Sequence, residues 1–205
     1  MCPVAPILGA ETPIRVGSTS LVLPSGWTVV ESCSDATPPE RVGSSTDLKA
    51  TTLLLTAHPV DVGRRMGISL FRTNFHSMGP PPLMAGTSGA NAEVEKLLYL
   101  VLGLGFTPTG VQTSRVTSSQ NTPLLTVEVT AKNATGEERV FTDTAAGNMV
   151  PIVRLFTSRQ AADQIAAQEI NTIIRSMGTG DENRNQSSDF TFSSGKRSSG
   201  TIRSD

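Results

Sequence analysis

The segment from Ser158 to Met177 is the strongest constraint on the fold, because it reads as an amphipathic helix arriving after a long series of short β-type runs. Ala162, Ala166, Ile170, Ile173 and Met177 recur at spacings of four, four, three and four residues, which places them on one face at 3.6 residues per turn. Such a stripe must be covered, so a sheet closed by a late helix is the expected architecture. Arg159, Asp163, Gln164, Gln168, Glu169 and Arg175 fall mostly off the stripe and stay in solvent. Ser158 is the expected N-cap, and Gly178 and Gly180 the expected stop.

Upstream of that helix the chain supplies the sheet. Ile14-Arg15-Val16 and Ser20 to Leu23 are strand material separated by Gly17, and Pro24-Ser25-Gly26 turns the chain before Trp27 to Val30. Thr51 to Ala57 carries Leu53, Leu54 and Leu55 in succession, the pattern of a central strand covered on both faces, and Gly67 to Arg72 supplies another strand. A second helix is expected from an N-cap at Asn91, with Glu93 and Glu95 at the positive end of its dipole. Its stripe is Val94, Leu97, Leu98, Val101 and Leu102, ended by Gly103 to Gly110. Val111 to Thr117, Leu124 to Ala131, Arg139 to Asp143 and Val150 to Thr157 then form a meander. Of these, Leu125, Val127 and Val129 alternate with Thr126, Glu128 and Thr130, giving one buried and one wet face. The expected class is α+β, an antiparallel sheet flanked by helices. Residues 1–13 read as an N-terminal extension, 14–177 as a single domain and 178–205 as a disordered Ser/Gly-rich tail that lacks the apolar content to offset its own ordering.

Composition removes several functions. Seventeen Lys and Arg against eighteen Asp and Glu give a formal net charge of −1, with no global attraction to nucleic acid or anionic lipid. Aromatic residues make up 4% of the chain, too few for a base-stacking platform. No run approaches the roughly 20 apolar residues that span a bilayer, since Leu97 to Phe106 is broken by Gly103 and Gly105. Cys2 and Cys33 have neither CxxC spacing nor a histidine cluster, so no metal and no cofactor is expected.

The clause Leu21-Val22-Leu23-Pro24-Ser25-Gly26-Trp27, the internal helix, the late meander and the closing Ile173-Ile174-Arg175-Ser176-Met177 carry a family resemblance. Over about residues 14–177 the chain resembles the superfamily typified by the photosystem extrinsic subunit PsbP, the Ran-binding import factor Mog and the bacterial lipoproteins DcrB and LpqN. That resemblance implies an α/β/α sandwich and a habit of binding proteins, and no reaction.

Three functional readings follow. The first is a non-enzymatic, cytoplasmic accessory module that binds a protein partner through the irregular segments Cys33 to Lys49 and Met78 to Gly89, helped by the tail. Met78, Leu83 and Met84 are its adaptable apolar anchors. The second is a lipoprotein or periplasmic binding protein of the cell envelope, anchored through Cys2. The third is a hydrolase using His58 beside Asp61, with one of many serines as nucleophile. His58 and His76 otherwise read as surface histidines, and Arg64-Arg65 as a solvated turn or an anion contact. Trp27 is a core anchor or an exposed contact. Gly103-Leu104-Gly105-Phe106 has Pro108 where a dinucleotide loop needs its third glycine.

Overall fold

The computed structural model describes residues 13–32, 50–74, 86–147 and 152–179. Within them the architecture is α+β. Strands β1 (Pro13–Val16) and β2 (Thr19–Val22) form a hairpin turned at Gly17, whose φ of 59° lies in the left-handed region that glycine adopts without strain. The last described strand, β10 (Gly178–Thr179), pairs with the other side of β2, completing a small sheet in the order β1-β2-β10.

The main sheet has seven strands, every neighbouring pair antiparallel. One half consists of β3 (Trp27–Ser32), β4 (Ala50–Pro59) and β5 (Gly67–Asn74); the other is the meander β6 (Phe106–Thr117), β7 (Pro123–Asn133), β8 (Glu138–Ala146) and β9 (Ile152–Gln160). The halves join where β5 pairs with β9, giving the order β3-β4-β5-β9-β8-β7-β6. Helix α1 (Gly86–Gly103) precedes the meander and α2 (Gln164–Ser176) follows it.

Each helix covers one face of the sheet. Under α2 lies the larger core, in which Trp27, Leu54, Leu55, Leu70, Leu155 and the helix residues Ala166, Ile170, Ile173 and Ile174 are buried together. Under α1, Leu97 and Val101 meet Val127, Val129 and Ala131 of β7 and Phe141 of β8. Phe141 stacks edge-on with Phe106, ring centroids 5.1 Å apart. The alternation read along β7 is realised: Val127 and Val129 are buried, while Thr126, Glu128 and Thr130 are only half so.

Several local expectations are corrected. Ser158 does not cap a helix; it continues β9, paired with Gly67 on one side and Phe141 on the other. Asp163 is the N-cap, its carboxylate accepting the Ala166 N–H at 2.8 Å, and Ala162 is exposed rather than part of the buried stripe. Gly178 is not a helix stop but part of β10, since Met177 closes the helix with its own N–H on the Ile174 carbonyl. The three consecutive leucines do not mark a strand buried on both faces. A bulge between Leu53 and Leu55 shifts the register, so Leu54 and Leu55 both enter the α2 core and Leu53 stays half-exposed. Helix α1 starts at Gly86, upstream of Asn91; Leu98 is half-buried and Leu102 is exposed. Glu93, expected at the positive end of the helix dipole, lies beyond the first turn and is only 2% exposed. The strand expected from Val111 begins at Phe106.

Candidate functional site

Met78, Leu83 and Met84, the anchors expected from sequence, lie outside the described residues, as do Cys2, Cys33 and His76. His58 is described, in β4 opposite Thr28. Its Nδ1 lies 2.7 Å from the carbonyl oxygen of Pro59, while Asp61 accepts the Gly63 N–H at 3.0 Å. The two side chains are thus engaged separately, each by its own stretch of backbone, and the pairing a hydrolase would need is not formed. Trp27 is fully buried at the start of β3, as a core anchor. Arg64 is not a free anion contact, because it donates to Glu169 of α2 at 3.1 Å and sits 3.9 Å from Asp163. The Glu169 hydrogen bond outweighs burial and holds its pKa above the ordinary value.

Among the described residues, a buried cluster of charges lies on the α1 side. Arg154 of β9 bonds to both Glu93 of α1 and Asp143 of β8, and Lys96 donates to Glu93 at 2.7 Å. Burial works against the charges of Glu93, Asp143 and Arg154. For Glu93 the attraction of Arg154 wins, and its pKa is held below the usual carboxylate range; for Asp143 burial wins, and its pKa is pushed up. Burial also opposes the Arg154 charge, but Asp143 and Glu93 outweigh it and hold the guanidinium protonated. A cation satisfied by two carboxylates beneath a helix fixes α1 on the sheet, and offers no open coordination or reacting atom.

On the opposite face, the sheet extends beyond α2 and leaves a cleft of about 140 Å³. Its floor is Gln112, Ser114, Thr126, Glu128 and Thr142, and α2 supplies Ala167, Ile170, Asn171 and Ile174 as a wall. Arg159 reaches in from β9, already donating to the carbonyls of Gln160 and Ala161 at 3.2 Å. The lining contains one carboxylate and no imidazole or thiol, so it presents hydrogen-bonding groups without the usual nucleophile and base. Among the described residues, no group of three or more His, Cys, Asp or Glu side chains is placed to hold a metal ion.

Among the described residues, exposed large apolar side chains gather at the C-terminal end of α1. Tyr99 is 70% exposed, Leu100 46%, Leu102 53% and Leu104, in the turn that follows, 51%. The periodicity of α1 made Leu102 look like core. Gly103 ends the helix and Gly105, at φ 82°, turns the chain into β6 before the sheet can cover this end.

No protein-family model and no curated protein matches the sequence. Among solved structures, the solution structure of cyanobacterial PsbP (CyanoP) from Synechocystis sp. PCC 6803 is similar with a TM-score of 0.50, covering 84% of this chain and 95% of that chain at 13% identity. The fold is PsbP-like. The crystal structure of LpqN, involved in cell envelope biogenesis of Mycobacterium tuberculosis, gives a TM-score of 0.47 at 12% identity, covering 85% of this chain and 89% of that chain. At such identities the PsbP likeness is one of fold, and it assigns no role to any side chain described above.

Proposed function

We propose that this chain is a non-enzymatic accessory module that binds a protein partner. The observation that carries the reading is the apolar end of α1: four large side chains within six positions stay in solvent, a concentration that single surface leucines do not produce. Two further features support it. His58 and Asp61 are each bound to local backbone, and the buried Arg154 cluster serves to hold α1. Met78, Leu83 and Met84 extend the binding surface in this proposal, with the segments Cys33 to Lys49 and Met78 to Gly89 and the tail as further contacts.

Cross-linking with mass spectrometry in the source cells tests it. Cross-links from a co-purified protein should map to α1 and its following turn, and Leu102→Ser with Leu104→Ser should abolish them without lowering the melting temperature. Leu83→Ser with Met84→Ser should weaken capture in the same way. Cross-links that persist in the α1 double variant would refute this surface. Among the described residues no helix is long and apolar enough to cross a membrane, and a cytoplasmic location is part of the proposal. Recovery in a detergent-soluble membrane fraction, abolished by Cys2→Ser, would replace it with the envelope reading.

A further inference from the structure

Strand β6 ends the seven-stranded sheet, and from Gly110 onward it has neither the proline nor the bulge that commonly protects an edge. Every residue from Thr109 to Thr117 is exposed. Near its start Pro108 and a bulge at Thr109 interrupt the register, but from Gly110 to Thr117 the pairing with β7 is continuous. That stretch reads Gly-Val-Gln-Thr-Ser-Arg-Val-Thr, with no proline, no lysine, no acid and Arg115 as its one charge. The opposite edge, β3, has six residues and is broken by a bulge between Val29 and Glu31.

We propose that two copies of this chain pair through Gly110–Val116, antiparallel about a two-fold axis perpendicular to the sheet at Thr113, so that one sheet runs through both. The register follows from the faces. Val111, Thr113 and Arg115 lie opposite Val129, Val127 and Leu125 and share one face, while Gln112, Ser114 and Val116 share the other. An axis at Thr113 keeps every pair on a common face: Thr113 meets itself, Gln112 meets the second copy's Ser114, and Val111 lies against the aliphatic stem of the second copy's Arg115. The two arginines then stand about 13 Å apart along the strand direction, beyond the screening length of about 8 Å at physiological salt. Val111 and Val116, 44% and 39% exposed in the single chain, become covered. Seven residues a side bury on the order of 1,000 Å² in total, the lower limit for a specific interface, so a dimer of micromolar affinity is expected.

Sedimentation equilibrium of the full chain, from about 1 to 200 µM in 0.15 M salt, is the test. A monomer–dimer equilibrium should appear. Thr113→Glu sets two carboxylates against each other on the axis and should weaken the dimer at least tenfold; mixing it with Thr113→Lys should restore pairing as a heterodimer. Val111→Glu, carrying the same charge two residues away, faces the second copy's Arg115 and should leave the dimer as tight or tighter. Both positions are at the surface, and unchanged melting curves would show that the three variants fold. A monomer throughout the range overturns the proposal, leaving the edge to a strand from another protein; equal weakening by Val111→Glu and Thr113→Glu overturns the register.

Discussion

The indole N–H of Trp27 donates to the carboxylate of Glu169 across 3.2 Å, tying the start of β3 to the middle of α2. Arg64 donates to the same carboxylate, so one acid serves a buried neutral donor and a half-exposed cation. Glu169→Leu should cost about 1–3 kcal/mol, because it leaves the indole N–H without an acceptor. Glu169→Gln keeps an amide oxygen there and should cost less than about 1 kcal/mol, the usual worth of a solvent-accessible ion pair. Trp27 is the only tryptophan, so its fluorescence follows both unfolding curves directly. Equal losses would show that the ion pair, not the indole bond, carries the contact.

Ile173 is fully buried in the core that α2 closes. Truncation to Ala should lower stability by roughly 2–5 kcal/mol through lost transfer energy and the cavity left behind. Chemical denaturation measures this, and an unchanged midpoint would mean that α2 does not close the core.

A side chain at Gly178 would enter occupied space. A Cβ there collides with Gln120 Oε1 and lies 2.9 Å from Ser20 Oγ. Gln120 accepts from Ser20 at 2.9 Å and donates to the Ser176 carbonyl at 2.6 Å, so displacing it breaks both bonds. Gly178→Ala should cost about 1–3 kcal/mol, and markedly less in a Gln120→Ala background. A double-mutant cycle with no coupling would remove Gln120 as the cause.

The Arg154 cluster predicts opposite pH dependences for its two acids. Glu93 has a folded pKa below its ordinary value of 4.5, so its contribution is present above that pH and is lost as pH falls through the folded value. Asp143 has a folded pKa above its ordinary 3.8, so its contribution is present below that pH and is lost as pH rises through the folded value. The deficit of Glu93→Gln should therefore shrink on acidification, while Asp143→Asn should gain on the wild type as pH rises above 3.8. Arg154→Met, which strands both carboxylates, should cost about 3–5 kcal/mol near neutral pH. Urea midpoints across the range give all three, and parallel slopes for the two acid variants would contradict the assignment.

Removal of residues 180–205 should leave the melting temperature unchanged, given their low apolar content. Removal of Gly178 and Thr179 as well deletes β10, together with the Thr179 N–H bond to Thr122 Oγ1, and should lower it. Identical melting of the two truncations would show that β10 contributes nothing.

What was readable in the sequence was what depends on near neighbours. The turns at Gly17 and Gly26, the alternation along β7 and the stripe from Ala166 to Met177 are local patterns, and the structure keeps them. The errors arose where distant partners decide. Ala162 sits at helical spacing from Ala166, yet pairing with β5 and β8 holds the preceding residues extended as far as Gln160. Glu93 resembled a dipole-complementing acid because Arg154, 61 residues away, is invisible at short range. The leucine triplet concealed a bulge, which alters a register and leaves no mark in composition. The exposed end of α1 is not legible in the sequence for a related reason: periodicity shows which side of a helix is apolar, but not how far along its length the sheet reaches.

The pairing of β10 with β2 has a consequence for synthesis. The Val22 N–H donates to the Ser176 hydroxyl across 154 residues of sequence, and Leu21 and Leu23 share a core with Ile173 and Met177. At about 5–20 residues per second, a ribosome leaves the first hairpin without these partners for on the order of ten seconds. Throughout that interval the β1–β2 hairpin offers an unpaired strand and two bare leucines to any chaperone near the exit tunnel. The core can close only after α2 has emerged, which makes the rate of translation, and not strand pairing alone, the clock for the last step of folding.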